Sequence, residues 1–114
     1  MILDPVATNP DHYRPIFENA RVRVLDYTDL PGDVTTPHDH PDSLMYTVSS
    51  FRRRLVADGV SRDVEMLAGG AFWLAAQRHH GENIGDTPTH VILVELKHTA
   101  DGAASPEAAP LGPS

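Results

Sequence analysis

The chain has 114 residues, 40% of them hydrophobic and 22% charged, which fits one small globular domain with a modest core. The net charge of −7 argues against binding to nucleic acid or to an anionic membrane, and the absence of cysteine excludes disulfides and thiolate metal sites. The sequence has no apolar run approaching about 18 residues and no signal-like start, so we expect a cytoplasmic protein.

Composition divides the chain into an N-terminal arm, a strand-rich domain and a tail. Prolines interrupt residues 1–19, so we expect an extended arm rather than a helix, with part of the arm packed on the domain. Residues 20–98 form the predicted domain. Residues 99–114 are mainly Ala, Gly, Pro and Ser, and we expect a disordered tail there.

Within the domain, hydrophobic alternation and turn residues predict about eight short antiparallel strands. In chain order they cover residues 21–27, the segment around His38 and His40, and residues 44–49, 54–57, 60–66, 71–74, 80–84 and 89–96. Asp58-Gly59 suits a tight type I′ turn and predicts a hairpin at that point. No segment has the pattern of an amphipathic helix, so the predicted fold is all-β, a barrel or a sandwich.

The last predicted strand, residues 89–96, is apolar on both faces. Val91 and Leu93 alternate with Ile92 and Val94, so we expect both faces to be covered. The interior of the domain would cover one face and a partner subunit the other. We therefore predict a homodimer.

The densest chemistry in the chain lies at His38 and His40. Successive side chains alternate faces in a strand, so these two imidazoles point the same way while Asp39 points away from them. Pro37 and Pro41 exclude a helix here. Two neighbouring neutral imidazoles can bind one divalent metal ion, and the alternative is a pair of surface or capping histidines near a turn.

A second cluster, residues 77–83, contains His79 and His80. One of these two histidines, facing the interior, would complete a three-histidine site with the pair at residues 38 and 40. Glu82 lies beside them but falls on the other strand face from His79 if the strand is regular.

The spacing of these clusters carries a family resemblance. Gly32 with His38 and His40 matches the first motif of the cupin superfamily, and His79 with Asn83 matches the second. Over residues 4–97 the chain is similar to small single-domain bacterial cupins, often uncharacterised, some of which are associated with β-alanine breakdown.

The resemblance implies a cupin β-barrel or jelly-roll sandwich with a metal ion held by His38, His40 and His79. His80 stays an alternative to His79, because the spacing from the preceding glycine favours His80 and the spacing to the following asparagine favours His79. Imidazole ligands suit iron, zinc and nickel, and manganese is also compatible, so the sequence does not identify the ion.

One element of the family pattern is missing. The cupin metal-binding glutamate would fall at residues 43–45, which are Ser, Leu and Met here. The ligand set is then at most three histidines unless water, Asp42 or Glu82 substitutes.

The implied function is a metal-dependent small-molecule enzyme: a dioxygenase, isomerase or lyase acting on a small anionic metabolite. The alternative is a non-catalytic small-molecule-binding or sensory cupin with a degraded metal site. Three residues are weaker candidates for the reaction. Glu82 is a candidate base, Arg53 alternates with its arginine neighbours and could point inward to fix a substrate carboxylate, and Tyr46 could line the pocket.

Overall fold

The computed structural model describes residues 1–97 and contains one helical turn and nine strands. The turn is α1 (Pro5–Thr8), and the strands are β1 (Tyr13–Glu18), β2 (Val22–Asp29), β3 (His38–His40), β4 (Ser43–Thr47), β5 (Phe51–Ala57), β6 (Val60–Met66), β7 (Ala71–Leu74), β8 (Gln77–Asn83) and β9 (Thr89–Leu96). The predicted disordered tail at residues 99–114 lies outside the described residues. No helix within residues 1–97 is long and apolar enough to cross a membrane.

The strands form two antiparallel sheets that pack face to face. One sheet has five strands in the order β1-β2-β9-β4-β7, and the other has four in the order β3-β8-β5-β6. Their inner faces enclose a core made of Tyr13, Leu25, Tyr27, Phe51, Val91 and Leu93. The predicted all-β sandwich is confirmed, with nine strands where the sequence predicted about eight.

The N-terminal arm is more structured than the sequence predicted. Residues 5–8 form a helical turn because Asp4 caps it, accepting hydrogen bonds from the backbone N–H groups of Val6 and Ala7, and because proline is tolerated in a first turn. The arm then becomes β1, the edge strand of the five-stranded sheet. Pro15 fits there because an edge strand has one side without ladder hydrogen bonds. The expectation of an arm without a helix was wrong.

Two predicted features appear at the expected places, although β5 begins at Phe51, three residues before its predicted start. The β5–β6 hairpin turns through Asp58 (φ +51°) and Gly59 (φ +75°), the positive angles that a type I′ turn requires. Strand β9 covers residues 89–96 and alternates between buried and half-buried side chains. Its buried side chains face the interior. Because β9 is the middle strand of the five-stranded sheet, they point towards β3 and β8 of the other sheet.

Candidate metal centre

Three histidines meet on the inner face of the four-stranded sheet. His38 and His40 share the inner face of β3, and the antiparallel register pairs His79 of β8 with His38. All three are buried, and their ring centroids lie 4.8, 4.9 and 4.9 Å apart. One ligand atom from each lies within 4.8 Å of the others. The three histidines are therefore positioned to bind one metal ion.

The choice between His79 and His80 depends on which face of β8 is buried. The strand starts at Gln77, three residues before the predicted start at residue 80. Alternation from that start places His79, Gly81 and Asn83 on the buried face and His80 on the opposite face. His80, the alternative third ligand, consequently points away from the histidine pair.

Hydrogen bonds at Nδ1 fix the protonation of two imidazoles. The Nδ1–H of His38 donates to the carbonyl of Thr36 at 2.7 Å, and that of His79 donates to Oε1 of Gln77 at 2.7 Å. The Gln77 amide is itself oriented, because its Nε2 donates to the carbonyl of Ala75 at 3.0 Å. With the proton on Nδ1, each Nε2 keeps a lone pair for a metal ion.

The Nδ1 atom of His40 faces a buried carboxylate. It lies 3.6 Å from Oε2 of Glu95, and both atoms are buried without a hydrogen-bond partner among the described residues. The other carboxylate oxygen, Oε1, accepts a hydrogen bond from Nε of Arg23 at 2.8 Å. Buried polar atoms are normally paired, so this near contact fits a ligand histidine whose Nδ1–H donates to a carboxylate.

Burial keeps the imidazoles of His38 and His79 neutral. Desolvation is the main reason why the pKa of His38 falls from 6.5 to about 4 and that of His79 from 6.5 to about 3. The positive charge of Arg53 adds to this effect at both rings. Neutral imidazole is the metal-binding form, so both rings are ready to bind an ion at neutral pH.

Tyr13, on β1 of the five-stranded sheet, contacts two of the three histidines. Its hydroxyl lies 3.1 Å from Nε2 of His38 and 3.3 Å from Nε2 of His40. The Tyr13 ring is buried and packs on Tyr27, with ring centroids 4.6 Å apart. The hydroxyl is therefore held against the two nitrogen atoms that would bind a metal ion.

The three histidines line a cavity of about 530 Å³ between the sheets. That volume lies within the usual range of small-molecule sites. Its polar lining includes the three histidines, Tyr13 and Arg53. Its walls are largely apolar and include Met45, Leu55, Val64, Met66, Phe72 and Leu74. The site therefore joins a polar centre to an apolar chamber.

Known structures with the same architecture are numerous, although no protein-family model and no curated protein matches the sequence. A cupin domain from Bordetella pertussis superposes with a TM-score of 0.69 at 22% identity, over 76% of this chain and 95% of that one. The fold is the cupin fold. An RmlC-like cupin with a double-stranded β-helix fold from Methanocaldococcus jannaschii gives 0.62 at 10% identity, over 75% and 79% of the two chains. A cupin 2 conserved barrel domain protein from Salinispora arenicola gives 0.56 at 22%, over 77% and 76%.

This cupin fold lacks a carboxylate at the position of the motif glutamate. Ser43 faces inward there, but its hydroxyl donates to the carbonyl of Pro41 at 2.7 Å. The carboxylate of Asp42 accepts a hydrogen bond from the backbone of Ala76 at 2.8 Å. Among the described residues, the cluster of metal-binding side chains contains the three histidines and no acidic residue.

Arg53 points into the cupin cavity, while Arg52 and Arg54 are exposed. Its Nη1 forms a buried ion pair with Asp29, and its guanidinium lies 5.2 Å from the centre of the Tyr27 ring. Part of its charge is thus neutralised within the protein.

Two weaker candidates lie outside the cavity. Glu82 has the outward phase of β8 and pairs in register with Arg54 of β5, so it is not placed to act on a ligand in the cavity. Tyr46 lies on the outer face of β4 and is 47% exposed, because Ser43, Met45 and Thr47 take the inner face. The idea that Tyr46 lines the pocket was wrong.

Sequence reasoning missed three contributors to the site. Gln77 and Glu95 were open to prediction from alternation. Gln77 points to the same side of its strand as His79, and Glu95 to the same side as Val91 and Leu93. Tyr13 carries no local signal, because it comes from the arm and reaches the histidines through the packing of one sheet on the other.

Proposed function

We propose that this protein is a metal-dependent enzyme that acts on a small, anionic and partly apolar metabolite. His38, His40 and His79 would bind a divalent transition metal: iron, zinc, nickel or manganese. The observation that carries the proposal is the direction of the three imidazoles. Two have Nδ1 bound to an acceptor and the third faces a buried carboxylate, which leaves the Nε2 atoms for one ion.

The cavity suggests how a substrate would be held. A bound ion would supply Lewis-acid or oxygen-binding chemistry at the histidine end. Nη2 of Arg53 lies over Gly81, where a side chain would collide with it, and both residues line the cavity. Arg53 can thus donate to an anionic group near the histidines, while the apolar walls pack on the rest of the molecule.

The groups around the cavity favour one of the three predicted reactions. No carboxylate lines the cavity in residues 1–97, and the two buried acids nearby, Asp29 and Glu95, are each paired with an arginine. Isomerases and lyases usually need a base that removes a proton from carbon. We therefore place dioxygenation ahead of isomerisation and elimination. The association with β-alanine breakdown stays a prediction from sequence resemblance.

A non-catalytic binding or sensory protein is the second candidate. The contacts of Tyr13 favour it, because its hydroxyl meets the Nε2 atoms of His38 and His40 and offers a hydrogen-bond donor without any ion. In that case the cavity would bind a small molecule, and the histidines would only shape its polar end.

Metal analysis with matched variants tests the proposal. Untagged protein purified without chelator should contain near-stoichiometric metal, as should the His80→Ala control, whose imidazole lies on the other face of β8. The His38→Ala/His40→Ala variant should contain none. If iron is found, oxygen consumption with small organic acids should depend on it. Tight ligand binding without turnover would favour the binding protein, and a parent protein that refuses added metal would overturn the enzyme.

We also propose that the protein is a homodimer, formed through the outer face of the five-stranded sheet. A row of apolar side chains crosses all five strands in register: Phe17, Val24, Val94, Leu44 and Trp73. The members on β1, β4 and β7 are 55%, 44% and 59% exposed. A continuous apolar row of this kind is typical of a surface that binds another protein.

The charges beside this row are paired with one another. Asp26 accepts a hydrogen bond from Arg14 at 3.3 Å and lies 2.8 Å from Nε2 of His90. Two copies of a chain with net charge −7 can thus approach through this face without burying that carboxylate unpaired. A second copy would give an interface that is the same on both sides.

Light scattering at micromolar concentration tests the dimer. The parent protein and the control Val60→Glu, which alters an exposed valine of the hairpin, should have twice the chain mass of 12.4 kDa. Leu44→Glu should be monomeric. A monomeric parent would refute the interface. Cytoplasmic location and the absence of nucleic-acid and membrane partners stay predictions.

A further inference from the structure

We propose that the phenol oxygen of Tyr13 is the fourth protein ligand of the metal site. The inference rests on the proposed three-histidine site and adds a donor from a different sheet. Three observations carry it: the distances of the hydroxyl from two Nε2 atoms, the number of hydrogen-bond acceptors at that point, and the packing of the ring.

The distances suit neighbouring ligands around one ion as well as hydrogen bonds. In a tetrahedral site with bonds of about 2.0–2.1 Å, adjacent ligand atoms lie roughly 3.4 Å apart. The Tyr13 hydroxyl lies 3.1 Å from Nε2 of His38 and 3.3 Å from Nε2 of His40. It therefore has the position of a ligand next to two of the histidines.

The hydrogen bonds at this point leave one contact without a proton. The Nδ1 proton of His38 is committed to Thr36, so its Nε2 can only accept. Nε2 of His40 likewise accepts if the Nδ1–H of that ring faces Glu95. With both Nε2 atoms as acceptors, the single hydroxyl proton of Tyr13 serves one of them, and the other contact joins two lone pairs. A cation between these atoms would bind all of them.

The ring of Tyr13 is held in place by aromatic packing. It is 6% exposed, and its centroid lies 4.6 Å from that of Tyr27, 5.4 Å from that of His38 and 5.8 Å from that of His40. The hydroxyl thus cannot turn towards solvent without loss of core contacts. A phenol that only filled the core would need one partner, whereas this one has two metal-ligand nitrogen atoms.

Ligation by Tyr13 would supply a negative oxygen donor in a site that otherwise has three neutral nitrogen donors. On binding, the oxygen forms the bond to the ion and the hydroxyl proton passes to solvent. The Tyr13 oxygen would take the place of the carboxylate ligand that is missing at residues 43–45. It would do so from β1, whereas residues 43–45 lie on β4. The N-terminal arm would then be part of the metal site.

Metal-loaded protein gives a direct spectroscopic test. A phenolate bound to Fe(III) or Cu(II) absorbs visible light by charge transfer from oxygen to metal, whereas histidine ligands alone do not give that phenolate band. Purified apoprotein titrated with each ion should show the band. Tyr13→Phe should lose it and bind the ion at least about tenfold more weakly, while Tyr46→Phe, which alters an outward tyrosine, should keep both properties.

A second measurement covers the case in which Tyr13→Phe does not fold. The chain has three tyrosines, so protein made with 3-fluorotyrosine should show a shifted band if a phenolate is bound. Stoichiometric binding of both ions with no band in the parent would overturn the role of Tyr13 and leave the three-histidine site standing. No binding of either ion would overturn the proposed site and, with it, this inference.

Discussion

Lowering the pH from 8 to 5 should destabilise the metal-free protein through two buried histidines. The pKa of His38 falls from 6.5 to about 4 on folding, and that of His79 from 6.5 to about 3. Both rings are neutral in either state at pH 8. At pH 5 the unfolded chain protonates them and the folded protein does not, so the unfolded state binds more protons and stability falls with pH.

The size of the loss follows from the protonation of the unfolded chain. At pH 5 an imidazole with a pKa of 6.5 lies about 1.5 units below its midpoint, and each unit is worth about 1.4 kcal/mol. Each histidine therefore lowers the free energy of unfolding by about 2 kcal/mol. Together they remove about 4 kcal/mol, a large share of the stability of a small domain.

Urea unfolding in the presence of chelator, at pH 8 and pH 5, measures this effect. His79→Gln should reduce the difference between the two pH values by about 2 kcal/mol relative to the parent, since all other titrating groups are shared. The result that refutes the reasoning is a variant whose pH dependence equals that of the parent within about 0.5 kcal/mol. That result would mean that His79 is not buried in its neutral form in the folded protein at pH 5.

Two substitutions test the surroundings of the site. Glu95→Gln removes the anionic acceptor that faces Nδ1 of His40 and should weaken metal binding about 10–100-fold in calorimetric titration. Glu82→Gln, which alters an outward-facing residue of β8, is the control. Equal affinities of the two variants would exclude Glu95 from the site. Gly81→Ala places a Cβ 2.8 Å from Nη2 of Arg53 and should cost about 1–3 kcal/mol in urea unfolding, because the guanidinium must move; an unchanged stability would mean that Arg53 does not need the space.

Local sequence determined most of the strands, the tight turn and the histidine pair. Strands β7 and β9 have the boundaries that alternation and turn residues predicted. Asp58 and Gly59 adopt the positive φ angles that a type I′ turn requires. His38 and His40 share a face because the side chains of any strand alternate with a period of two. Each of these features depends on residues that lie close together in the chain, so periodicity is sufficient to find it.

Only the tertiary structure decided which groups surround that pair. His79 rather than His80 faces inward because β8 pairs with β3 in one register, and a shift of one residue would exchange the two. Tyr13 lies 25 residues from His38 in the chain and meets it only because two sheets pack face to face. Register and sheet packing are set by contacts between distant residues, and a local pattern of alternation is the same for every register.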